Sequence, residues 1–146
     1  MIKETLDLTK KYDESLYSTR VLVIQTVYTL DVINDVTKLE QSLVDYIDYY
    51  DSNFLKKTLN QDYYKNLARF VINSTSKIDH KIKMNAEWKI ERLPKVVLSV
   101  LRSGVGELNL FPQINKALLI NDYLEASKTL NHAEEIGFIN SILDKI

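Results

Sequence analysis

One pattern limits this chain before any other. Apolar residues recur three and four positions apart along nearly its whole length, the period of a helix rather than a strand. Leu16, Arg20, Val23, Ile24, Val27, Tyr28 and Asp31 share one face of a first long helix, with Asp13 placed to cap it. Val36, Leu39, Leu43, Tyr46, Ile47 and Tyr50 repeat in a second, which Asp51-Ser52-Asn53 ends as a turn. A third carries Tyr63, Leu67, Phe70, Val71, Ser74, Ile78 and Ile82; its start is open, because residues 54–59 read as a turn or a separate helix. Met84 to Glu91, with the single Trp88, predicts a short helix. Pro94 and Pro112 stand where a first-turn proline belongs, ahead of the stripes Leu93-Val97-Val100-Leu101-Gly104-Leu108 and Ala117-Ile120-Leu124-Ser127. Thr129 or Asn131 caps a last helix with Glu135, Ile139, Ile142, Leu143 and Ile146 on one face. The expectation is an all-α fold of about seven helices, and 146 residues suffice for a sizeable core.

What is missing narrows the function. Cysteine is absent, which excludes disulfide scaffolds, thiolate metal sites and Cys nucleophiles. His132 and Glu135 have the spacing of one metal-ligating turn, but a carboxylate-bridged site needs several, so they read as a surface pair. Gly104-Val105-Gly106 lacks the third glycine, the preceding strand and the following Lys-Ser or Lys-Thr of a phosphate loop; glycine in a helix closely approached by another backbone is the plainer reading. No catalytic constellation emerges, and no cofactor or metal is expected. The opening residues hold no apolar run for a signal peptide, and no segment is long enough to span a bilayer, so a cytoplasmic location is expected. Net charge is −1, with no whole-molecule basic field. It is uneven, however: residues 77–102 hold 7 basic and 3 acidic side chains, whereas residues 103–146 hold 3 and 6. Such a run is more often a solvated face than a phosphate contact.

Three segments carry a family resemblance. The first is Thr19-Arg20-Val21-Leu22-Val23-Ile24-Gln25-Thr26-Val27-Tyr28. The second is Leu98-Ser99-Val100-Leu101-Arg102-Ser103-Gly104-Val105-Gly106-Glu107-Leu108, followed by Lys116 to Asp122. The third, and most specific, is Gly137-Phe138-Ile139-Asn140-Ser141-Ile142-Leu143-Asp144-Lys145-Ile146. In order and spacing they resemble the NusB family of bacterial transcription antitermination factors. The resemblance implies two small helical bundles, which fall as 1–82 and 83–146. It also implies binding to ribosomal protein NusE and, with it, to boxA RNA, within the RNA polymerase antitermination complex on ribosomal RNA operons. Self-association is left open. The same domain occurs fused to ribosomal RNA methyltransferases, and ending at Ile146 leaves no room for one here, so a non-enzymatic adaptor is expected.

The resemblance assigns Tyr28 and Glu107 to the NusE surface, and Lys10, Lys11, Arg20, Gln25, Phe138 and Asn140 to RNA. Where family members carry an arginine-rich stretch, this chain reads Ser15-Leu16-Tyr17-Ser18-Thr19, so only Arg20 remains of that charge and Lys10 and Lys11 would substitute. A helical module that binds protein but no longer binds RNA alone is the second reading. Each residue also has a bland role. Tyr28 lies on an apolar stripe. Arg20 shares that face and, if buried, needs an acceptor such as Glu107 or Asp31. Asn121 reads as a buried amide with its bonds made. Phe138 sits off the last stripe, leaving its ring able to stack on a splayed base.

Overall fold

A computed structural model describes residues 14–53, 59–86 and 89–146. Seven α-helices run through them: α1 (Glu14–Ile33), α2 (Leu39–Asn53), α3 (Gln61–Asn73), α4 (Thr75–Asn85), α5 (Lys95–Leu110), α6 (Lys116–Thr129) and α7 (Ile136–Lys145). No strand is present among the described residues. Short 3-10 turns at Val36–Lys38, Ile90–Arg92 and Ala133–Glu135 lead into or link the helices.

Side-chain caps and left-handed asparagines fix the boundaries. Asn60 Oδ1 accepts the Tyr63 amide at 3.0 Å and starts α3; Asn115 Oδ1 accepts the Leu118 amide at 3.1 Å and starts α6. Asn34 (φ 54°) ends α1 and Asn131 (φ 67°) ends α6. At the second of these, the His132 amide reaches Ser127 O at 2.8 Å and the Asn131 amide reaches Lys128 O at 3.0 Å, the paired bonds of a Schellman ending. Asn131 therefore closes one helix rather than capping the next.

Several expected boundaries move. The third helix is two, because the chain bends at Ser74 (φ −116°, ψ 17°) between α3 and α4. A single straight stripe from Tyr63 to Ile82 would leave one end off the core; the bend lets both halves bury, with Leu67 and Val71 on one side and Ile78 and Ile82 on the other. Asp51-Ser52-Asn53 continues α2 instead of turning. Pro112 lies in the turn before α6, whose start belongs to Asn115. Pro94 immediately precedes α5, one residue outside the expected position. Val36 is exposed in its 3-10 turn, off the α2 stripe. Asp13, Phe54 and Trp88 lie outside the described residues.

The core is organised around α5, which is buried without a break from Val97 to Glu107. A helix buried on every side must be surrounded, and α1, α3, α4, α6 and α7 all pack on it. Its two glycines make room for side chains of neighbouring helices, not for another backbone. A Cβ on Gly106 would stand 2.5 Å from Val71 Cγ2 of α3, and one on Gly104 3.0 Å from Leu143 Cδ2 of α7. Among the described residues, no helix is long and apolar enough to cross a membrane.

Candidate functional site

The polar residues of α5 lie inside the molecule, and the chemistry around them follows from that. Glu107 is fully buried and Arg20 of α1 is 3% exposed. Arg20 Nε donates to both Glu107 oxygens at 3.0 and 2.9 Å, and Nη2 donates to Oε2 at 2.6 Å. Two phenols complete the carboxylate: Tyr63 of α3 at 2.5 Å and Tyr123 of α6 at 2.7 Å. Arg20 Nη1 donates to Asp122 of α6 at 2.7 Å. Four helices thus meet at one cation. Burial alone would lower the Arg20 guanidinium, but the charge of Glu107 and its hydrogen bonds outweigh this and hold it above its ordinary value. Burial, then the Glu107 charge, pushes the Tyr63 and Tyr123 phenols upward. Burial also raises the Asp122 carboxyl, against the opposing pull of Arg20.

A second cationic junction lies nearer the surface. Arg102 of α5 grips Asp79 of α4 with two bonds of 2.8 Å and reaches Asp31 of α1 at 3.4 Å. Lys95 joins the same Asp31 at 3.1 Å. Of the 7 basic groups in residues 77–102, Arg102 is therefore a structural clamp rather than part of a surface field.

The outer face of α1 is different. Gln25 is exposed and Tyr28 is 37% exposed, one helical turn apart on the same side. They border an open groove of about 420 Å³ with Tyr46 and Tyr49 of α2, Val96 at the start of α5, and Leu130 after α6. Tyr46 is held by Thr29 Oγ1 at 2.6 Å, whereas Tyr49 is 59% exposed. The apolar face continues past Tyr28 through the exposed Val32 and Ile33. Aromatic rings lining a groove on a rigid helix pair can anchor a protein partner, because they cover much area with little entropy to lose.

The predicted residues separate into three groups. Gln25 and Tyr28 come together on the groove. Phe138 and Asn140 lie on α7, where Asn140 is exposed and Phe138 is half-buried and packed against the core. Arg20 and Glu107, expected on the RNA and the partner respectively, are the buried pair; a molecule docked on this surface would touch neither side chain. Each is buried with the other as its counter-charge, 87 residues away in the chain, since neither could be buried alone. Lys10 and Lys11 lie outside the described residues. Asn121 is exposed rather than a buried amide. His132 and Glu135 form the expected local pair, with Nδ1 3.1 Å from Oε1. Reading the sequence missed Tyr63 and Tyr123 as donors to Glu107, and Tyr49 as a groove residue. The available signal was nine tyrosines against four phenylalanines, an excess of rings whose hydroxyls need partners or water.

The model of the NusB family matches residues 17–146 of this chain. A transcription antitermination protein NusB of Clostridium botulinum (strain Alaska E43 / Type E3) is 37% identical over 108 residues, covering 73% of this chain and 80% of the relative. One from Rickettsia bellii (strain OSU 85-389) is 28% identical over 135 residues, covering 87% and 86%. Another, from Clostridium botulinum (strain Loch Maree / Type A3), is 34% identical over 118 residues, covering 80% of each.

Proposed function

This chain belongs to the NusB family, and on that premise we propose that it is a cytoplasmic, non-enzymatic adaptor in transcription antitermination. It binds ribosomal protein NusE through the α1–α2 groove and, with NusE, boxA RNA, so that RNA polymerase reads through terminators in ribosomal RNA operons. The observation that carries this reading is the family match over nearly the whole chain, joined to an exposed Tyr28 on an aromatic groove. Gln25, Phe138 and Asn140 are the proposed RNA contacts among the described residues. Phe138 contributes a half-buried ring for stacking and Asn140 an exposed amide.

Arg20 and Glu107 support both surfaces from within by holding α1 in register with α5 and α6. Free RNA affinity is accordingly low, because the guanidinium of the first block is already consumed by Glu107 and Asp122. The test is a titration with NusE, with and without boxA RNA, at two salt concentrations. NusE should bind the free protein and tighten RNA binding. Tyr28→Ala should weaken NusE binding at least tenfold while leaving the melting temperature within a few degrees, about 1.4 kcal/mol for that factor. Unfolding by Tyr28→Ala would make the ring a core element. NusE binding with no RNA binding in any condition would favour the protein-interaction module.

A further inference from the structure

The basic run of residues 77–102 is not spread evenly once folded. Arg102 and Lys95 turn to Asp79 and Asp31 and are spent on the fold. Lys77, Lys81 and Met84 stand on one exposed face of α4 at spacings of four and three. Among the described residues, Lys81 meets a neutral group, Asn109 Oδ1, at 2.9 Å. Lys89 and Arg92 are exposed in and beside the 3-10 turn Ile90–Arg92, which packs against α4. Among the described residues one ion pair lies on this strip, Lys83 with Glu91 at 3.6 Å; both side chains are more than half exposed, so it exchanges readily with another anion.

We propose that the outer face of α4, with Arg92, is a second phosphate-contacting track for single-stranded RNA, continuing from α7. Two observations select this occupant. The face is cationic in a molecule of net charge −1, and its described residues include no Trp, Tyr or Phe of the kind that anchors a protein interface. Also, α4 packs directly against α7, the helix that bears Phe138 and Asn140. A strand whose base stacks on α7 therefore has α4 as the adjoining element onto which it can run. Lysines on such a track act as point charges toward phosphate and carry no sequence information. The inference rests on the proposed RNA binding and extends it to nucleotides outside the recognised element.

The experiment uses the full chain with NusE and two RNAs: boxA alone at about 12 nucleotides, inside the span of one single-strand site, and boxA extended to about 24. The variant is Lys77→Gln/Lys81→Gln/Arg92→Gln, all at exposed positions. It should bind the short RNA like wild type and the long RNA more weakly. Three lost phosphate contacts reduce the salt slope by about 2, so the wild-type advantage on long RNA should shrink roughly 20-fold between 50 and 200 mM salt. Equal loss on both lengths, or none on either, overturns the track while leaving RNA binding intact. Loss of NusE binding without RNA would assign the face to protein and overturn it as well. If wild type binds neither RNA in the presence of NusE, the underlying RNA reading fails, and the track fails with it.

Discussion

Arg20→Met isolates what the buried pair does. Methionine keeps most of the apolar stem and removes the charge. Glu107 is then left in the interior with two phenol donors and no cation, while Asp122, 20% exposed at its side chain, regains water. Breaking one partner out of a buried ion pair costs about 3–5 kcal/mol. For a chain of 146 residues the unfolding entropy near the midpoint is about 0.3 kcal/mol/K, so the melting temperature should fall by about 10–16 °C. Removing the orphaned charge as well, in Arg20→Met/Glu107→Gln, should restore at least half of that loss, because the cost lies in the unpaired carboxylate rather than in the missing attraction. Thermal melts followed by circular dichroism give the stability. Binding isotherms with NusE and boxA RNA, at a temperature below both melts, give the salt slope, which should stay as in wild type. A melting shift below about 3 °C would refute the stability argument. A slope reduced by about 0.7 would show a phosphate contact through Arg20 and refute its internal role.

Two further outcomes follow from packing and ionisation. Gly106→Ala forces a Cβ to within 2.5 Å of Val71 Cγ2 and should destabilise by about 1–3 kcal/mol, whereas Gly137→Ala meets open space in α7 and should stabilise by about 0.5–1 kcal/mol; denaturant melts of the two variants should move in opposite directions. Burial and the Glu107 charge hold the Tyr63 and Tyr123 phenols above the ordinary value of 10.0, and burial does the same for Tyr64. The unfolded chain therefore releases these protons first, so stability is complete below about pH 10 and falls as pH rises above it. Melting temperature should drop steeply there, and tyrosinate absorbance should show Tyr63, Tyr64 and Tyr123 titrating only on unfolding; ionisation of these three while the helical signal persists would contradict the buried cluster.

Period was enough to read the class of this protein, because a 3.6-residue repeat and scarce glycine and proline are local properties. Leu16, Val23, Leu43, Leu67, Val97, Ile120 and Ile139 were legible as core from spacing, and all are buried. The three family blocks were legible too, since they are strings of residue identities. The break inside the apolar pattern was missed although the polar run Asn73-Ser74-Thr75-Ser76 marks it locally, and the bend there lets α3 and α4 each reach α5. The fate of charged residues was hidden. Arg20, Tyr28 and Asp31 share one stripe in the sequence, yet Arg20 is enclosed, Tyr28 opens on a groove and Asp31 clamps Arg102 and Lys95. Whether a charge faces water or the interior depends on a partner brought near by folding. Glu107 lies 87 residues from Arg20 in the chain and within 3.0 Å in space. Sequence alone determined that helices form and which family they build; tertiary structure decided which polar groups are spent inside, because only there does an opposite charge offset the loss of water.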